Sequence, residues 1–256
     1  MKYIFLLLIL TFELLASMVE SPVISVNHEN NTLKIKVDKI DVGVSGFVVH
    51  QLSENHSTVV RSVSVQSFDA QTGEATLKVT PFYLLDNNSV PYEKYKVEVG
   101  DRVELAFGYS RSLLIAPNEE IYHRITKSIK TQWIHPDLFA TILSFTGHPT
   151  PLKSDFNAMA DATSVGLLFV YLDKKIYTLD IKSFKILTIS DAPLEQKSVH
   201  LPFYTRVQNI ESSWWNWGEG SSKMKNYEKY YYKLLIKNNK KNRELLSLAD
   251  KYEKGK

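Results

Sequence analysis

A chain of 256 residues, 44% hydrophobic and 12% aromatic, has the length for two ordinary domains and the apolar content to fill their cores, which excludes a disordered protein. It contains no cysteine, so disulfides, thiolate metal sites, a cysteine nucleophile and a lipid-bearing cysteine are excluded together. Lys and Arg outnumber Asp and Glu by only 31 to 28, but residues 223–256 hold eleven basic against four acidic side chains, a formal +7, and leave −4 on everything before them.

Residues 1–17 read as a secretory signal peptide. Lys2 gives a positive start, Tyr3 to Phe12 is an apolar run, and Ala16 and Ser17 are small enough for a cleavage site. The run is shorter than the roughly 20 residues of a membrane span, and no later stretch is long and apolar enough to be one. The expectation is an exported protein of the periplasm, the outer-membrane surface or the medium.

Residues 22–118 alternate. Leu33, Ile35 and Val37 are interleaved with Lys34 and Lys36, Val59 to Val65 keep the same period, and Ala75, Leu77 and Val79 are interleaved with Thr76 and Lys78. Turn residues punctuate them at Asn30-Asn31, Gly43, Gly46, Gln71-Thr72-Gly73 and Asp86-Asn87-Asn88. Gly100-Asp101 separates Val97 and Val99 from Val103, Leu105 and Phe107. Six or more short strands at this spacing predict a small antiparallel barrel or sandwich.

Residues 119–212 change period and read as an α+β domain. A helix is expected from Pro136 through Leu138, Phe139, Ile142 and Leu143, stopped by Gly147-His148-Pro149, and a second from Ser154 with Phe156, Met159 and Ala160 on one side. Strands are expected at Leu167–Leu172, Lys175–Leu179 and Phe184–Ile189. The fold class is therefore α+β, with a β-rich first domain, an α+β second domain and a basic helical tail.

The tail, 213–256, opens on Trp214, Trp215 and Trp217. Met224, Tyr227, Tyr231, Leu234, Asn238, Lys241, Leu245, Leu248 and Tyr252 then fall at steps of three and four. Either one long helix uses Asn238 to fix its register, or Asn238-Asn239 breaks it in two; the scarcity of aliphatic residues favours the break. The tryptophans suit a clasp holding the tail to the body, a membrane-interface anchor or a carbohydrate platform.

Signatures of catalysis are scarce. There is no phosphate-binding glycine loop, dinucleotide fingerprint or His-Glu-x-x-His, and the seven histidines show no metal-ligand spacing. Asp41, Ser45 and His50 have the residue types of a nucleophile triad, but Ser45 sits in Gly-Val-Ser-Gly between predicted strands without a strand-to-helix elbow. His135-Pro136-Asp137 spells a cochaperone tripeptide, yet it also reads as proline in a first helical turn beside an acid that suits the helix dipole. Neither an enzyme, nor a cofactor, nor a metal is expected. The basic, tyrosine-rich tail would suit nucleic acid, but an exported protein rarely meets it.

Several segments together resemble the N-terminal domain of the plasminogen-binding surface proteins of epsilon-class proteobacteria. They are Asp41-Val42-Gly43-Val44-Ser45-Gly46 with His50, Gly100-Asp101-Arg102-Val103, Leu114-Ile115-Ala116-Pro117-Asn118 with Tyr122, His135 to Ala140, Gly147 to Leu152 with Asp155-Phe156, Val165 to Leu168, Pro202 to Arg206, and the tryptophan cluster. The resemblance implies a surface-exposed or secreted protein, without catalytic activity, that captures host plasminogen. Kringle domains read a lysine by its ammonium and a carboxylate together, so the resemblance points to Lys256, Lys254, Lys251, Lys240, Lys241 and Arg243, with acids such as Glu244 near them. Longer members continue into an extended lysine-rich region, of which this sequence shows a short version. An envelope module whose tail binds anionic lipid is the other reading.

Overall fold

A computed structural model gives the fold and describes residues 18–82, 95–211 and 218–253, with 249–253 described through their backbone only. The expected signal peptide lies outside the described residues. The chain divides into two compact units, the first ending at Ser110 and the second beginning at Arg111.

The first unit is a closed six-stranded antiparallel barrel. Its strands are β1 (Val19–Asn27), β2 (Thr32–Lys36), β3 (Ser45–Ser53), β4 (His56–Asp69), β5 (Glu74–Thr80) and β6 (Arg102–Leu105), in the order β1-β2-β5-β4-β3-β6, with β6 closing on β1. The alternation seen in the sequence is the cause. Leu33, Ile35, Val63, Val65, Ala75, Leu77, Val103 and Leu105 point inward and are buried, while Lys34 and Lys36 face water. Gly46 is where β3 crosses closest to β6: a Cβ there would lie 1.9 Å from the Glu104 carbonyl oxygen.

Two expectations fail here. Ser45 opens β3 rather than lying between strands. Val97 and Val99 form no strand, because the Asp101 carboxylate accepts the Glu98 N–H at 2.8 Å and folds the segment into a turn that bonds to Val23 on both sides. Val97 is still buried and Val99 exposed.

The second unit is built on a five-stranded mixed sheet, β11-β10-β9-β7-β8, from β7 (Arg111–Ile115), β8 (Gln132–Ile134), β9 (Leu167–Leu172), β10 (Lys175–Asp180) and β11 (Ile186–Asp191). β7 runs parallel to both β8 and β9, and β9, β10 and β11 form an antiparallel meander. The helices are α1 (Glu119–Ser128), α2 (Pro136–Thr146), α3 (Lys153–Thr163), α4 (Tyr227–Asn238) and α5 (Arg243–Glu253). Every residue of β9 is buried, so both faces of the sheet are covered. Leu113, Ile115, Leu168, Val170, Leu172, Tyr177 and Leu179 belong to one core with α2, α3, α4 and Leu245 of α5. Apolar residues at the intervening positions, among them Leu114 and Phe169, turn to the other face, where Trp133 meets Phe169 edge-on with ring centroids 5.1 Å apart. Helix α2 ends at Gly147, which enters the left-handed region without a Cβ penalty, and α3 ends at Ser164, also left-handed.

Candidate functional site

The candidate site is the basic C-terminal end, and its inner face is part of the fold. Asn226 caps α4 by accepting the Lys229 N–H at 2.8 Å. Tyr227, Tyr231, Tyr232, Leu235 and Ile236 are then buried in the second core. Two of the hydroxyls are satisfied by backbone: Tyr227 donates to the carbonyls of Ile115 at 3.2 Å and Tyr171 at 3.0 Å, and Tyr231 donates to Pro202 at 3.0 Å. Tyr230 reaches the Pro151 carbonyl. Burial pushes all three phenols up from their ordinary value, so each stays a neutral donor at any physiological pH.

The helix breaks where the asparagines are. Buried Asn239 accepts the Ile186 N–H at 3.0 Å and donates to the carbonyls of Phe184 at 3.1 Å and Leu235 at 3.0 Å. Lys185 reaches the Asn238 carbonyl. Asn242 restarts the chain as α5, accepting the Leu245 N–H at 3.1 Å. The continuous seam through Asn238 is thus replaced by two helices, and the buried line of α4 runs through Tyr232, Leu235 and Ile236 rather than through half-buried Leu234 and Asn238. The signal for this line was present in the pairs 231/235 and 232/236, four residues apart.

The outer face is basic. Lys233, Lys237, Lys240, Lys241 and Arg243 are exposed, with the Lys237 ammonium 3.6 Å from Glu219. Glu244, expected beside Lys240, instead binds Lys175 at 2.9 Å, since the start of α5 lies against β10. That partner raises the Lys175 ammonium above its ordinary value. The side chain of Lys251 and all of Lys254, Lys256, Trp214, Trp215 and Trp217 lie outside the described residues.

The other motifs take structural parts. His50 Nδ1 is 2.6 Å from Asp101, not from Asp41. In His135-Pro136-Asp137, His135 is the N-cap of α2, accepting the Asp137 N–H at 3.2 Å, and Pro136 opens its first turn. The Asp137 carboxylate accepts from Thr205 Oγ1 at 2.8 Å and from Arg206 N and Nε at 2.8 and 2.6 Å. His148 Nδ1 lies 2.8 Å from buried Asp155, which also accepts the Leu152 N–H at 2.7 Å and so starts α3. Among the described residues no three His, Asp or Glu side chains are grouped to hold a metal ion, and no helix is long and apolar enough to cross a membrane.

A family model described as "Plasminogen-binding protein pgbA N-terminal" matches residues 18–235, a range that runs through the buried face of α4 and stops before Lys240. Plasminogen-binding protein PgbA of Helicobacter pylori strain J99 is 27% identical over 213 residues, covering 82% of this chain and 46% of that protein. The protein of the same name from strain 26695 is also 27% identical over 213 residues, covering 82% and 45%. The chain spans about half the length of these curated relatives. No solved structure matches it.

Proposed function

The chain belongs to the plasminogen-binding protein PgbA N-terminal family, and on that premise we propose that it binds plasminogen from an exported position, by offering lysines of its basic C-terminal end to kringle domains. The observation that carries this reading is the family match over residues 18–235, together with the name of the relatives, which is that of a binding protein and not of an enzyme. The geometry supports it in one respect. The tyrosines fix α4 by its inner face, so Lys240, Lys241 and Arg243 project from an anchored helix pair and pay less ordering entropy on binding than a loose tail would. Lys251, Lys254 and Lys256 follow them.

The test is binding of the protein to immobilised plasminogen, with and without a free lysine analogue, using K240A/K241A/R243A and a truncation after Glu253. A lysine-read complex is blocked by the analogue and weakened by these changes. The exposed row of Lys233, Lys237, Lys240 and Lys241 also suits an anionic lipid surface, and that reading predicts binding that salt abolishes and the analogue leaves untouched.

A further inference from the structure

Lys240 and Lys241 form the tip of the turn between α4 and α5. The Asn242 N–H donates to the Asn239 carbonyl at 2.9 Å, which closes a four-residue turn and leaves both lysines exposed. The two sides of this turn are held very unequally. Upstream, α4 buries Tyr227, Tyr231, Tyr232, Leu235 and Ile236, and the Asn239 side chain is bonded to Phe184, Ile186 and Leu235. Downstream, of the α5 side chains from Arg243 to Leu248, Leu245 is buried, Leu248 is half-buried and the rest are exposed. The ion pair of Glu244 with Lys175 adds little to that hold, since its partners are 41% and 38% exposed. Helix α5 therefore opens at lower cost than α4, and the range shared with the family, 18–235, ends before the turn.

A protease takes its substrate as an extended strand, so an exposed lysine is cut only where the chain on one side of it comes free. Other exposed lysines of the second unit fail on that count. Lys174 lies in the tight turn between β9 and β10, two strands locked into the sheet. Lys223 and Lys225 flank Met224, which is buried in the core, and the Ser222 carbonyl beside them accepts Thr150 Oγ1 at 2.5 Å. At Lys240 and Lys241 the downstream side frees itself when α5 alone unwinds, while the tyrosine face of α4 keeps its place.

We propose that the Lys240-Lys241 turn is a cleavage site for a lysine-directed serine protease, and that the cut turns an internal lysine into a C-terminal one at the end of α4. Hydrolysis breaks the C–N bond that follows the lysine. Water supplies the atoms, leaving a carboxylate on the lysine and an ammonium on the next residue. The protease brings the catalytic groups, so this chain contributes only the bond and the lysine that is recognised. The new end stands directly after Asn239 or one residue further, next to a point that the Asn239 bonds hold in place. It then carries ammonium and carboxylate on one residue, the pair by which a kringle reads a lysine. That consequence rests on the plasminogen reading above, whereas the cleavage itself does not.

Limited digestion of the whole chain with the lysine-specific endoproteinase Lys-C, read by intact mass and a thermal melt, is the test. The expected product is a fragment that ends at Lys240 or Lys241 and still melts cooperatively, and K240Q/K241Q does not yield it. Resistance of the turn, first cuts at Lys223 or Lys225, or loss of the cooperative melt once the turn is cut would overturn the proposal. The second arm measures binding to immobilised plasminogen before the cut, after it, and after carboxypeptidase B has removed the terminal lysines. The fragment, which has lost Arg243 to Lys256, is expected to bind at least as well as the uncut protein and to weaken about tenfold or more with carboxypeptidase B. Binding that carboxypeptidase B leaves unchanged would overturn the role of the new end. Absence of binding by uncut protein and fragment alike would instead defeat the plasminogen reading, with the cleavage decided by the mass data.

Discussion

The barrel and the sheet unit fill their cores with different residues. The barrel interior is lined by Val, Leu, Ile and Ala, whereas all nine of the buried aromatics among the largest fully buried side chains belong to the second unit. A six-stranded barrel has a narrow bore, and its integrity depends on how closely backbones approach. A sheet with helices layered on it leaves room for rings, and there integrity depends on volume and on partners for each hydroxyl. Damage to the first unit should therefore come from adding atoms, and damage to the second from removing them.

The largest effect is expected at the barrel seam. Gly46→Ala puts a methyl 1.9 Å from the Glu104 carbonyl oxygen, where the obstacle is backbone and cannot swing away. The barrel should fail to close, read as lost strand signal in far-UV circular dichroism. Tryptophan emission stays native, because all four tryptophans lie beyond Ser110. Next is Tyr231→Ala, which empties a fully buried ring site and should cost about 3–5 kcal/mol in urea unfolding. Tyr231→Phe should cost only about 1 kcal/mol, the loss of the bond to Pro202. Asn239→Ala falls between them, at about 2 kcal/mol, because it strips partners from Ile186, Phe184 and Leu235 at once.

The smallest effect is a slope with pH. Burial pushes the His135 imidazole below its ordinary value, with Arg206 acting in the same sense and Asp137 opposing. As pH falls through about 6.5, the unfolded chain takes up this proton before the folded one does, so stability is complete above that value and declines below it. Protonation also removes the acceptor that caps α2. Tm should therefore drop between pH 7.5 and 5.5, and His135→Asn, which keeps a capping oxygen, should flatten the slope. Asp137 does not enter this window. Burial acts to raise its pKa, but hydrogen bonds from Arg206 and Thr205 outweigh it and hold the carboxyl below its ordinary value.

Much of the fold was legible because its residues act locally. The strands at Leu33–Val37, Val59–Val65 and Ala75–Val79 follow from period two, and α2 from proline at its start and glycine at its end. β1 was not legible, since Pro22 and buried Ser21 interrupt its alternation and its pairing with β6 is set by barrel closure. β7 falls inside the range 22–118 read as the first domain, because nothing in Arg111–Ile115 itself says which sheet it joins. α1 hid among charged residues, with only Ile121, Tyr122 and Ile125 buried. In the tail, the lysine count drew attention to charge, whereas the tyrosines beside those lysines complete a core that reaches back to Leu113. A cut near Gly220 would therefore remove core along with charge, and it cannot serve as a clean test of binding.

The proposal is that the C-terminal end is held to the fold by the tyrosine face of α4 and offers its lysines to plasminogen. It is tested most directly by measuring plasminogen binding of K240A/K241A/R243A combined with the truncation after Glu253, in protein first shown to unfold with the native midpoint. The account predicts unchanged stability, within about 0.5 kcal/mol, and binding reduced at least tenfold, matching the residual binding of the unmodified protein in excess lysine analogue. Undiminished binding by this folded variant would contradict it.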